Sequence, residues 1–404
     1  MVEQIIMRSG TQSTNGLDFE SIAPTAGKSF SEQLESCIEQ LSTFIFPAGE
    51  ARFFVTQQTF FISAKTREIY EERSARIKEQ LSRSCGALLP ATSIVAQSPE
   101  SGSEVVLELI CTRALEGKKV IYKTTSGINY TVVEHDSFKV IHATGMMGAQ
   151  GDSIQEASEK AFSQSLDILN QEGLSIHHII RQWNYVENIA RVDDADETLQ
   201  NYQVFNDVRS IYYNQGDFKY GYPAATGIGM DTGGIIIGFI ALSESDKVQV
   251  KPIRNPRQID AHQYSDQVLR GELTGVSAKK CTPKFERGKM VTLGGRHYVY
   301  VSGTASIVGE KTMFPGDVDK QTRTTIENIF ELFSAGNQDK LGIELDISQI
   351  QFSHLRVYVK HQKDIPAVKR ICEAELNCKS SLYLESDVCR EDLLVEIEGI
   401  FTLA

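Results

Sequence analysis

The sequence predicts an α/β protein of mixed β-sheets backed by helices, in which one strand–turn–helix–strand unit is used twice. Three observations predict this. Residues 138–186 reappear in outline over 298–359. The helices between these strands carry apolar residues at helical spacing. Residues 235–242, IIIGFIAL, form a continuous apolar run of strand length, as in a strand buried on both faces.

The elements follow in order. The first forty or so residues are rich in Ser, Thr and Gly, and residues 1–60 read as an N-terminal arm. A charged helical stretch runs from Arg67 to Leu81. The first copy has a strand, a Thr144-Gly145 turn and a loop closing on Gly151-Asp152. A helix with Ala161, Ser165, Ile168 and Leu169 on one face follows, then a strand. The second copy has Ser302-Gly303, then Gly316-Asp317, then a helix with Thr322, Ile326, Ile329, Phe330 and Phe333 on one face. Gly303 lies 158 positions after Gly145. Matching turns and Gly-Asp pairs favour duplication over two unrelated βαβ units. Residues 246–290 are polar and read as a bridge, and a helix over 364–377 and two strands close the chain. The expected division is an arm (1–60), a first domain (61–250) and a second (251–404).

Composition narrows the function classes. The 404 residues are 41% hydrophobic and 23% charged, enough for a real core. The net charge of −12 argues against a nucleic-acid partner, since such binding rests on Lys and Arg neutralising phosphates. No apolar run reaches the roughly eighteen residues of a membrane helix. The first residues, MVEQIIMRSGTQSTNG, lack a signal peptide's apolar core and cleavage site. Seven cysteines, none in a C-x-x-C, point to reduced thiols and a cytoplasmic location.

Familiar motifs fail on spacing. GTASIVGEKT (303–312) has Glu310 where a phosphate-binding loop needs its Gly-Lys junction. TGIGMDTGG (226–234) precedes a strand rather than a helix, unlike a dinucleotide fingerprint. His177 and His178 are adjacent, so on a strand they face opposite ways and cannot chelate one metal. No metal site is expected.

One pattern stands out. In the last strand, LLVEIEGIF, alternation puts Glu396 and Glu398 on one face with Leu394 and Ile400. One carboxylate at a solvated edge is the plain explanation. The alternative is a buried carboxyl that keeps its proton and donates it.

The second copy resembles the small RidA (YjgF) fold, a chorismate-mutase-like sheet-and-helix unit, through YVSGTASIVG, TRTTIENIFELF and VEIEGI. In that family an Arg before the closing strand grips a substrate carboxylate for imine hydrolysis. Counting back fifteen positions from Glu396 reaches Ser381, so this chain departs from the family there. The chain as a whole resembles the chorismatases, built from two RidA-like halves. The matching stretches are RQWNYVENI, YQVFNDVR, PAATGIGMD, NPRQIDAHQY, YVSGTASIVGE and SDVCREDLLVEIEG, across roughly residues 120–404.

The resemblance implies cleavage of chorismate to pyruvate and a ring product, with Glu396 as the catalytic acid. Members that release 3-hydroxybenzoate have a Cys seven residues before that Glu and a Gly after the Ser of the SGTAS strand. Here these are Cys389 and Gly303. Members that release the dihydrodiol tend to have Ala at these places. The acid-catalysed route implies neither cofactor nor metal.

Chorismate carries two carboxylates, and guanidinium geometry suits them. Arg209 is the first candidate clamp. Arg356, mid-strand among apolar residues, is the second. Tyr222 and the Thr226/Gly227/Gly229 turn are expected to supply hydroxyl and backbone donors. Trp183 and Tyr185 are expected in the core. Glu398 remains the alternative to Glu396 if the register differs. An imine deaminase and a non-catalytic module that binds a small acid remain as other readings. RidA proteins are trimers, so either a monomer or a trimer is compatible with the sequence.

Overall fold

The computed structural model describes residues 17–24, 29–45, 53–85, 89–113, 118–192, 199–265, 281–347 and 350–403. Its chain builds one unit three times, once more than the sequence predicts. The first unit contains β1 (Leu17–Ile22), α1 (Phe30–Ile45), β2 (Phe53–Ile62), α2 (Arg67–Cys85) and β3 (Ala91–Val95). A short β4 (Ser98–Pro99) and then β5 (Val105–Arg113) complete it. The sheet order is β1-β5-β2-β3. Strand β5 is antiparallel to both neighbours, and β2 is parallel to β3.

The second unit opens with β6 (Lys119–Thr125), β7 (Ile128–Glu134) and β8 (Lys139–Met147). Then come α3 (Ile154–Gln171), β9 (Ile179–Glu187), α4 (Asn201–Tyr213), β10 (Ala224–Met230) and β11 (Ile235–Leu242). Its order, β8-β11-β9-β10, repeats the first unit's pattern of directions, with β7 and β6 added beside β8.

The third unit opens with β12 (Val248–Ile253), β13 (Gly288–Leu293), β14 (Arg296–Ala305), β15 (Ile307–Val308) and β16 (Lys311–Thr312). It continues with α5 (Val318–Glu331), α6 (Ala335–Leu341), β17 (Phe352–Val359), α7 (Ile365–Glu375), β18 (Ser381–Glu385) and β19 (Val395–Leu403). Its order is β14-β19-β17-β18, again in the same directions. Strand β4 of the first unit pairs with β18, stitching the two units together.

This corrects the expected division. Residues 17–22 and 30–45 belong to the first unit rather than to an arm, and residues 1–16 lie outside the described residues. A boundary at residue 60 falls inside β2, and one at residue 250 falls inside β12. His177 and His178 are also placed differently: they sit in a helical turn, not a strand, with their rings stacked 4.3 Å apart.

Local chemistry explains the repeated turns. Gly151 and Gly316 both have positive φ, and each is followed by the start of a helix. Ser153 and Glu156 form a capping box on α3, and Asp317 accepts the Lys320 backbone N–H to cap α5. Gly145 and Gly303 both sit where the sheet register shifts. At Gly145, φ is +85° and a Cβ would lie 2.5 Å from the Thr92 carbonyl oxygen of the first unit.

Helices cover one face of each sheet. Leu34, Leu41 and Ile77 fill the first such layer, Phe162, Leu169 and Phe205 the second, and Ile329, Phe333 and Val368 the third. The other faces of all three sheets meet in a common core that includes Phe61, Trp183, Tyr185, Tyr298 and Tyr358. Burying each such side chain stabilises the fold by about 1.5–3 kcal/mol. The units close a ring: β3 packs on β8, β10 on β14, and β17 on β1.

Candidate active site

A cavity of about 420 Å³ opens where the second and third units meet, a size typical of ligand pockets. Tyr202, Gln203 and Asn206 of α4 line one wall, with Ala225 and Gly227 of β10. Arg287, Gly303, Cys389, Arg390 and Glu396 line the other. The seam behind it is fixed by two bonds: Ala225 N–H donates to Ser302 Oγ at 3.0 Å, and Gly303 N–H donates to Thr226 Oγ1 at 3.1 Å.

Glu396 and Glu398 share the inward face of β19, and each is only 4% exposed. Their surroundings differ. Glu398 accepts from Arg181 at 2.6 Å and from Trp183 Nε1 at 2.9 Å, and takes the Thr226 hydroxyl and the Arg356 guanidinium at 3.0 Å. It is a saturated, anchored carboxylate. Glu396 faces the cavity, and no hydrogen-bond donor among the described residues reaches its carboxyl. Burial and then the Glu398 charge push its pKa up to about 8, against the opposing pull of Arg181 and Arg287. This carboxyl holds its proton at neutral pH.

Cys389 stands beside Glu396 on the cavity wall. Burial, and next the Glu396 charge, push its thiol up to about 12, so it is a neutral S–H. Gly303 has ordinary backbone angles; its role is space, since a Cβ there would fall on Glu396 Oε1. Gly227 likewise leaves room for Tyr202, whose ring would lie 2.8 Å from an added Cβ.

Arg209 is not itself in the cavity lining: it lies one helical turn behind the lining residue Asn206 on the same side of α4, 1% exposed. It bonds Asn206 Oδ1 and lies over the Phe205 ring, its Nε has no partner, and no carboxylate among the described residues pairs with it. Arg287 is similar. Its guanidinium donates to Ile259 O at 2.5 Å and Tyr264 Oη at 2.7 Å, its Nε is unpartnered, and no acid among the described residues pairs with it. The sequence reading missed Arg287. In FERGK it looks like part of a solvated charge run, yet it sits immediately before β13, buried in the wall between units.

Three expected substrate contacts are placed otherwise. Arg356 does not line the cavity: it is held by Glu108 of the first unit, the Tyr185 hydroxyl and Glu398. Its mid-strand burial is answered by protein acids, so it is no clamp. The Thr226 hydroxyl is consumed by Arg181, Glu398 and the Gly303 N–H. Tyr222 stacks on Tyr213 at 5.9 Å and lies tilted against Phe218, outside the lining. Trp183 and Tyr185 are in the core, as expected. Among the described residues no helix is long and apolar enough to cross a membrane.

Residues 115–241 match the family model described as chorismatase FkbO/Hyg5-like, N-terminal. A 3-hydroxybenzoate synthase of Streptomyces hygroscopicus is 34% identical over 253 residues, covering 61% of this chain and 69% of that relative. The chain belongs to the chorismatase family. A chorismatase of Streptomyces rapamycinicus is 35% identical over 226 residues, covering 55% of this chain and 63% of that one. A chorismatase crystal structure superposes with a TM-score of 0.68 at 22% identity, over 97% of this chain and 100% of the other. This chorismatase-family chain thus has the chorismatase fold.

Proposed function

We propose that the protein converts chorismate to 3-hydroxybenzoate and pyruvate, with Glu396 as the acid. One observation carries this reading: Glu396, a carboxyl 4% exposed whose pKa burial raises, lines a cavity together with Arg287, a buried cation with no acid partner among the described residues, and Arg209, equally unpaired among them, lies one helical turn behind the lining residue Asn206.

Chorismate fits this polarity. Its two carboxylates give Arg209 and Arg287 the counter-charges that the chain withholds. Glu396 then gives its proton to the enolpyruvyl methylene, forming an oxocarbenium-like centre, and the ether bond to the ring breaks as pyruvate leaves. The neighbouring ring hydroxyl attacks the carbon that loses pyruvate and returns its proton to the Glu396 carboxylate. The arene-oxide-like species opens, its oxygen gains a proton as the ring carbon loses one, and the ring aromatises. No water is consumed, so the two products together hold all the atoms of chorismate. Cys389 borders the ring as a neutral, weakly polar wall, and Gly303 leaves Glu396 its place. Imine hydrolysis is not favoured, because Ser381 lies outside this cavity and offers no guanidinium.

Incubation with chorismate in EDTA, followed by chromatography and mass spectrometry, tests the proposal. Pyruvate with 3-hydroxybenzoate is expected. Pyruvate with a dihydrodiol overturns the product assignment, and unchanged chorismate overturns the activity.

A further inference from the structure

The buried axis of the ring holds a group that the proposed reaction does not use. Glu108, on β5 of the first unit, is 2% exposed. It accepts from Arg356 Nε at 2.5 Å and again from a second Arg356 nitrogen, and its Oε2 lies 2.8 Å from His354 Nε2. Glu108 and Glu398 hold equivalent places in two units: each lies on the strand between its unit's two helix-linked strands, opposite Thr59 and Arg356 respectively. The two acids reach Arg356 through different nitrogens, Glu108 at Nε and Nη2 and Glu398 at Nη1.

Charges along this axis can be followed from residue to residue. The enclosed carboxyls are Glu108, Glu398 and Glu396, and the guanidiniums bonded to them are Arg356 and Arg181. His354 adds a charge only when protonated, and its Nδ1 meets the Ser380 hydroxyl. Cys389, Tyr202 and Arg287 stand around Glu396, and Arg390, Lys311, Glu310, Glu391 and Asp392 line the same cavity. Arg287 lines the same wall as Glu396, held by Ile259 O and Tyr264. Burial acts to raise the Glu108 pKa, but Arg356 and His354 outweigh it and hold that carboxyl well below its ordinary range. Two anions therefore share two guanidiniums, and a third carboxylate has no guanidinium bonded to it, only Arg287 in the cavity wall.

We infer that Glu108 is a positioning residue for the proton donor: by engaging Arg356 from the first unit, it leaves Glu396 with no guanidinium bonded to it, and Glu396 is the carboxyl that stays protonated. The inference rests on Glu396 being the acid. It makes the first unit, remote from the cavity lining, part of the acid's tuning.

The test titrates Glu396 without substrate. Infrared difference spectra identify its protonated carboxyl as the band missing from Glu396→Gln. In Glu108→Gln, Arg356 and Arg181 serve Glu398 alone, so an ionised Glu396 is better tolerated. Its midpoint is expected to fall by about one pH unit, and the alkaline limb of kcat with it. An unmoved midpoint in the folded variant, or a loss of kcat that is the same at every pH, overturns the inference.

Replacing a buried ion pair as a unit is usually tolerated, so Glu108→Met with Arg356→Met tests the idea even if the single variant does not fold. That double variant removes one acid and one cation. Its midpoint is expected to stay within about half a unit of wild type, and a fall as large as a full unit overturns the inference. The titration needs no turnover. A wild type that leaves chorismate unchanged therefore defeats the proposed reaction without touching this result.

Discussion

Gly303 and the Glu396 carboxyl occupy adjoining space that admits no side chain on the former: a Cβ would fall on Oε1 of Glu396 and lie 3.1 Å from Thr226 Cγ2. The demand is steric, because Gly303 is not in the left-handed region. Gly303→Ala is therefore expected to displace the Glu396 carboxyl or the Thr226 hydroxyl that anchors Glu398. Overpacking of this kind costs about 1–3 kcal/mol. We expect kcat to fall at least about tenfold, with a modest drop in melting temperature. Steady-state kinetics and a thermal melt of the same preparation check both.

The Glu396 proton gives a signed pH dependence. Its pKa is raised from 4.5 to about 8, so the active, protonated form dominates below that value and kcat falls as pH rises through it. The folded state binds this proton more tightly than the unfolded chain. Its contribution to stability is complete below the ordinary value of 4.5 and is lost as pH rises through about 8. Glu396→Gln has no proton to lose. It is expected to be inactive, and to gain stability relative to wild type between about pH 6 and about pH 9. Denaturant unfolding of both proteins at those two values decides this. Full activity in the variant defeats the assignment of the acid.

Much of this was legible before the structure. Period-2 alternation placed Glu396 and Glu398 on one face, and helical spacing marked α3 and α5. The repeat was visible where glycine turns punctuate it, at Gly145 and Gly303. The first unit escaped notice because it lacks those marks. Its β1 pairs with β5 without a bulge, and the centre of β2, TQQT, reads as polar although it is buried. Which carboxyl is anchored was not legible either, since Glu398 owes its partners to Arg181 and Trp183, over two hundred positions away. The role of Arg356 is hidden for a related reason: its acid, Glu108, comes from the first unit, whose opening residues carry no sequence mark of the repeat.

Cys389 offers a chemical test. With its thiol pushed up to about 12, almost none is thiolate at neutral pH. Iodoacetamide is expected to leave it unmodified in the native protein and to label it after unfolding. Peptide mass spectrometry of the two samples measures the difference. Rapid native labelling at Cys389 would contradict the neutral-thiol description. Cys389→Ala keeps the small volume and is expected to leave Glu396 titrating within about half a unit of wild type.

Arg209 and Arg356 are both buried arginines, and the structure predicts opposite consequences for them. Arg356 is bonded to Glu108 and Glu398, so Arg356→Gln leaves the buried Glu108 without a guanidinium and Glu398 with Arg181 alone. Breaking a buried pair from one side costs about 3–5 kcal/mol, and the variant is expected to melt far below wild type. Arg209 has no acid partner among the described residues, and its Nε is already unsatisfied. Arg209→Gln removes an uncompensated charge, so its melting temperature is expected to match or exceed that of wild type. The same variant takes away a counter-charge for a substrate carboxylate, and KM for chorismate is expected to rise at least about tenfold. Melts and kinetics on the two variants separate the roles. A destabilised Arg209→Gln with unchanged KM would make that arginine structural, and the proposed carboxylate contact would then have to be sought at Arg287 alone.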